Sequence, residues 1–164
     1  MLKWYIKCLK NYVVFQGRAR RKEFWSFLIV TILIAYALIQ SGALLRPLSE
    51  FVEWTIFYSI YFFSIVVYFL YSFIPTQAVA VRRLHDVNKS GWPLFIFYIS
   101  VAIYVLLFLE ASGHWYWGPL TREDVELILL VIPSVPFIWL LILFCKDSYP
   151  TENEYGPNPK TLDS

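Results

Sequence analysis

The chain is short of charge and of cysteine, and each shortage excludes something. Charged residues make up 16% of 164 and hydrophobic residues 59%, against about 25% and roughly 45–50% in soluble domains. A small domain buries the smallest share of its surface, so one soluble core cannot hide that much apolar side chain. The two cysteines, Cys8 and Cys145, have no CxxC or other metal-type spacing. A disulfide scaffold is therefore not expected, and both read as reduced thiols. The centres of the apolar runs contain no Asp, Glu, Lys, Arg or His, the residues from which proton relays and ion pathways are built. The charged start is long, the first apolar run begins only at Phe24, and no small-residue cleavage site follows. No cleavable signal peptide is expected.

What is present is four long apolar stretches. They run Phe24–Leu45, Trp54–Ile74 with an extension from Ala78 to Val81, Trp92–Leu109, and Val125–Phe144, the last with Glu126 at its edge. At 1.5 Å per residue, about 20 helical residues cross a hydrocarbon core of about 30 Å. Strands of a membrane barrel would alternate with period 2 over roughly 10 residues. These stretches are apolar on every face, and a helix satisfies its own backbone in lipid. The predicted fold is an all-α membrane protein with four transmembrane helices, 24–45, 54–81, 92–109 and 125–144, in one domain. Leu2, Tyr5, Ile6, Leu9, Tyr12 and Val13 recur at helical spacing opposite Lys3, Lys7 and Lys10. Residues 2–14 therefore read as a short amphipathic helix, lying in the interface or packed on the ends of the spans. Pro75 falls where span two would leave the membrane, and Pro133 and Pro136 are expected to kink span four. Trp25, Trp54, Trp92, Trp115 and Trp117 suit interfacial belts.

Lysine and arginine near the membrane set orientation. Residues 1–23 hold seven basic residues, and the loop between spans two and three holds Arg82, Arg83 and Lys89. The other two loops carry one each, Arg46 and Arg122. Both termini, including the tail 145–164, are expected in the cytoplasm.

That topology gathers three polar blocks on one face. Gly17, Arg18, Arg21, Glu23 and Trp25 lead into span one; Arg82, Arg83, His85 and Asp86, then Ser90, Gly91 and Trp92, join spans two and three. Asn153, Tyr155, Gly156, Asn158 and Pro159 form a turn-rich block in the tail, with disorder as the rival reading. In this order and spacing the blocks resemble a family of small bacterial inner-membrane proteins, domain-of-unknown-function family 805. Phe15, Gly17, Arg18, Arg21, Glu23, Phe24 and Trp25 fill its first block, and Arg82–Asp86 with Ser90–Trp92 its second. Asn153, Tyr155, Gly156 and Pro159 fill its ending. Val87 and Asn88 stand where Thr-Gly is usual, and Glu154 and Asn158 where Arg and Asp are usual. The resemblance implies a helical membrane protein and no particular reaction.

Glu23 at the membrane boundary needs a partner, because an unpaired buried carboxylate is costly. Arg82 or Arg83 is expected to supply it, and Asp86 to pair with Arg18, Arg21 or its own i−4 neighbour Arg82. The resulting cluster is expected to tie spans one, two and three together. Adjacent helical residues point about 100° apart, so Asp86 is not placed to orient His85 as a general base. His114 belongs to the opposite side and completes no metal set, and no cofactor is expected. The lysines of residues 3–10 read as topology signals. The arginines read as specific binders, with forks that suit carboxylate or phosphate. The functional expectation is a structural, lipid-interacting or partner-binding inner-membrane component, not an enzyme. Its expected partners are membrane lipids, including anionic head groups, and a protein or second copy of itself, but no nucleic acid. A small transporter or channel subunit and a cytoplasm-facing membrane enzyme are the alternatives.

Overall fold

The computed structural model describes residues 1–44, 54–112 and 122–162. The described residues form α1 (Leu2–Lys10), α2 (Arg21–Leu44), α3 (Trp54–Asp86), α4 (Trp92–Ser112), α5 (Arg122–Cys145) and α6 (Pro159–Leu162). They contain no strand, only an isolated bridge between Asn153 and Gly156. Helices α2 to α5 are each long and apolar enough to cross a membrane. Arg46, His114, Trp115 and Trp117, given to outer loops and an interfacial belt by the sequence, lie outside the described residues.

Helix α2 packs along α3, and α4 along α5; α1 lies against α2 and touches α3. The interior is concentrated at one end. Cys8, Ala19, Phe24, Phe27, Val79, Ala80, Leu84, Leu94, Leu140, Leu143 and Phe144 form a single buried cluster. Away from it the helices expose large apolar side chains, Phe62, Phe63 and Leu70 among them. In water such a surface would be untenable; in lipid it is the ordinary outer face of a span.

The second span differs from its expected limit. The 33 residues of α3 rise about 50 Å, far more than the hydrocarbon thickness requires. The helix passes through Pro75 and continues beyond Val81 to Asp86. Buried residues crowd its last three turns, which therefore form a post around which the cap is assembled. Its end follows helix-termination chemistry. Asn88 has φ 56°, and the Lys89 N–H donates to the Leu84 carbonyl at 2.9 Å, a left-handed C-terminal cap. Asparagine tolerates that conformation where glycine would be the default, so Asn88 serves at a place where the family pattern has glycine.

Pro75 removes one donor from the helix ladder, leaving the Tyr71 carbonyl without its usual i+4 partner. The Tyr12 hydroxyl donates to that carbonyl at 2.6 Å. The segment after α1 thus repairs the gap, in an environment where an orphaned carbonyl is expensive. Two other tyrosines use the same device between spans: Tyr61 reaches the Leu38 and Ile39 carbonyls, and Tyr68 the Thr31 carbonyl. The segment expected as one helix over 2–14 is helical only to Lys10. Its buried face sets Tyr5 against Phe27, rings stacked at 5.3 Å. Helix α5 runs through Pro133 and Pro136 without a break.

Tyr12→Phe is expected to cost about 1–3 kcal/mol, the penalty of an acceptor left unsatisfied where lipid replaces water. In a Pro75→Ala background the restored N–H can take the Tyr71 carbonyl, so the same substitution should cost less than half as much. Thermal unfolding of the four proteins in detergent measures the difference; equal costs in both backgrounds would refute the repair.

Candidate functional site

The cap is built where the ends of α2, α3 and α5 meet the tail. Two charged groups organise it. In the first, Glu23, in the opening turn of α2, is 1% exposed. Its Oε1 accepts from Arg82 Nη1 at 3.0 Å, and its Oε2 lies 3.1 Å from Lys7 Nζ. Cys8 Sγ donates to Oε1 at 3.7 Å. Arg82 also donates from Nε to the Ala78 carbonyl at 3.3 Å. Burial, reinforced by the Glu23 carboxylate, pushes the Cys8 thiol up to about 12, which makes it a packing residue and not a nucleophile. Lys7, expected only to set topology, is thus an ion-pair partner.

The second group surrounds Asp86, fully buried at the end of α3. Its Oδ1 accepts from Arg18 Nε at 3.1 Å. Its Oδ2 accepts from Ser148 Oγ at 2.6 Å and from Arg83 Nη1. Arg18 then spreads over the tail: Nη1 donates to the Thr151 and Gly156 carbonyls at 2.8 and 3.2 Å, and Nη2 to Tyr149 at 2.6 Å. Arg83 faces the end of α5, donating from Nε to the Phe144 carbonyl at 3.1 Å and from Nη2 to that of Lys146. The last carbonyls of a helix lack partners within it and carry the negative end of its dipole. Arg83 satisfies both needs. Two guanidiniums against one carboxylate leave an excess positive charge, and these carbonyls absorb it.

His85 is occupied structurally. Its Nδ1 lies 3.1 Å from the Gly17 carbonyl, and its ring stacks on Tyr155 at 3.8 Å with 4° between planes. Gly17, at φ 86°, turns its carbonyl inward through a conformation that a side chain would strain. Asn153 Nδ2 donates to the His85 carbonyl at 2.9 Å, and the Tyr149 N–H to that of Asp86 at 2.8 Å. The tail is therefore ordered against the cap.

Gly17, Arg18, Glu23, Arg82, Arg83, His85, Asp86, Tyr155 and Gly156 come together. Asp86 takes Arg18 and, at i−3, Arg83; the expected Arg82–Asp86 neighbour pair does not form, because Arg82 turns to Glu23. Arg21 stands at the rim, 3.2 Å from Asp147 and bonded to the Cys145 carbonyl. Asp147 also accepts from Lys160 at 2.6 Å, and that bond holds its carboxyl below the ordinary value. The contact is thus retained above the usual carboxylate range and lost as pH falls through the lowered one. Trp25 packs edge-on against Phe24. Ser90, Gly91 and Trp92 only begin α4, where the Gly91 carbonyl accepts the Leu94 N–H. The cluster was expected to tie spans one, two and three. Among the described residues no α4 side chain enters it, and α5 with the tail takes that place.

The comparisons agree with this architecture. The family model described as "Protein of unknown function (DUF805)" matches residues 12–157. The chain belongs to the DUF805 family. It is 33% identical to Inner membrane protein YhaH of Escherichia coli K12 over 160 residues, 96% of each chain. It is 29% identical to Inner membrane protein YhaI of the same organism, over 97% of each. No solved structure matches. This DUF805 protein is thus a polytopic helical membrane protein, and the family carries no assigned activity.

Charge reversal separates the two groups. Glu23→Arg buries a third cation beside Arg82 and Lys7 and is expected to cost about 3–5 kcal/mol. Adding Arg82→Glu should restore part of the melting temperature, whereas adding Arg83→Glu should not. Rescue by the second and not the first would reverse the assignment. Thiol chemistry offers a milder probe: a membrane-permeant maleimide should modify the exposed Cys145 and spare Cys8 until the fold is melted.

Proposed function

We propose that the protein is a structural, lipid-interacting component of the bacterial inner membrane, with its charged cap and both termini in the cytoplasm. The observation that carries this reading is that the cap's buried carboxylates are spent on its own cations, and most of its buried guanidinium donors on carboxylates and backbone carbonyls. Arg18, Arg83 and Asp86 form one set, and Glu23, Arg82 and Lys7 another, in which the buried Arg82 Nη2 has no hydrogen-bond partner. A general base or nucleophile has to meet a substrate at hydrogen-bond distance. His85 is instead bonded through Nδ1 to Gly17 and stacked on Tyr155, and Cys8 is buried with a raised pKa. Such a cap fixes helices in place. Orientation is supported by the basic segments at residues 1–23 and 82–89 and by the inner-membrane names of the relatives.

The topology is tested on the full chain in a Cys145→Ser background. A membrane-impermeant maleimide applied to intact cells should leave Lys89→Cys unlabelled and label His114→Cys. Permeabilisation should expose Lys89→Cys. The opposite pattern would place the cap outside and overturn the proposal.

A further inference from the structure

Two cavities open side by side at the rim of the cap, and together they have the polarity of an amphiphile. The first, of about 220 Å³, is lined by Arg20, Arg21, Lys22, Ser148 and Lys160. The second, of about 420 Å³, shares Arg21 and Lys22 and continues over Trp4, Trp25, Ser26 and Ile29. Combined, they reach the range of about 300–1,000 Å³ typical of ligand sites. Four cationic side chains line the basic half, and among the described residues the exposed carboxylate Asp147 lies beside them, held by Arg21 and Lys160.

The rest of the cap lacks this character. Arg18, Arg82 and Arg83 are buried among carboxylates and carbonyls, whereas Arg21 and Lys160 keep nearly half of their side chains exposed. The second half supplies what a soluble anion would not need. Trp4 on α1 and Trp25 on α2 are amphipathic rings suited to the depth where head groups meet acyl chains. Ile29, one turn beyond Trp25, is exposed on the apolar face of α2 that leads into the bilayer.

We infer that this double cavity binds one anionic phospholipid, its phosphate among Arg21, Lys22 and Lys160 and its glycerol and first acyl carbons along Trp4, Trp25 and Ile29. The inference rests on the lipid-interacting reading above and deepens it from a general affinity to a single site. Arginine forks and lysine ammoniums match a phosphodiester, and the aromatic wall continues in the direction its chains must run.

Retention of phosphatidylglycerol against phosphatidylcholine, measured by native mass spectrometry of the full chain from mixed-lipid nanodiscs, tests it. The wild type should keep phosphatidylglycerol preferentially. Lys22→Ala with Lys160→Ala removes two rim charges outside the buried network and should weaken retention about 25-fold, about fivefold per charge, at an unchanged melting temperature. Trp4→Ala should weaken it as well. Undiminished retention in the double variant, or no preference in the wild type, overturns the site. So does displacement of the lipid by equimolar inorganic phosphate, which would assign the basic half to a soluble anion. The maleimide pattern is read separately: a cytoplasmic cap with no lipid preference removes this inference alone, and a cap labelled from outside removes the orientation whatever lipid is bound.

Discussion

Asp86 lies with no solvent contact at the end of α3, and its carboxylate is the point on which the cap turns. A buried carboxylate must be matched, since the desolvation cost of a lone charge exceeds what a domain has to spare. Arg18 and Arg83 supply the match and bring their own demand for acceptors. Those acceptors come from the end of α5 and from the tail. One carboxylate thereby fixes the positions of α3, the end of α5, the segment leading into α2 and the tail. Buried ion pairs add little net stability against a well-packed apolar alternative. What they contribute here is selection: any other docking of the tail would strand a guanidinium.

The division of the molecule follows from the solvents it meets. Along the spans, packing between helices gains nothing from the hydrophobic effect, because lipid is as apolar as leucine. Contacts there are a few aromatic pairs and tyrosine hydroxyls seeking carbonyls. At the cap, water returns and burial drives assembly again. The buried cluster of Phe24, Phe27, Val79, Leu84 and Phe144 is concentrated there, next to the ions. The post-like overrun of α3 carries chain from the first regime into the second.

The spans were legible because length and uniform apolarity admit one answer in lipid. So were most members of the cap, since arginine, glutamate and aspartate beside an apolar run must find partners. The choice among partners was not. Glu23 had two candidate arginines one residue apart, and only the rotation of α3 about its axis separates them. The involvement of α5 was hidden for a different reason: Arg83 binds the carbonyls of Phe144 and Lys146, and a carbonyl leaves no mark in the sequence. Lys7 looked like one more topology signal until α1 was seen folded against α2. Pro75 marked an exit by its usual meaning, yet the helix continues because Tyr12 supplies a hydrogen bond from 59 residues away.

The clasp of Arg83 on the end of α5 bears on how the chain is made. A ribosome delivers α3 well before α5, so Arg83 and Asp86 emerge, and spend time, without the carbonyls and hydroxyl that later enclose them. Until residues 144–156 arrive, the guanidiniums of Arg18 and Arg83 face water or head groups. Maturation is then the closing of a latch by a stretch synthesised after all four spans, and a nascent chain halted short of it presents exposed charge and an open seam to whatever inspects new membrane proteins.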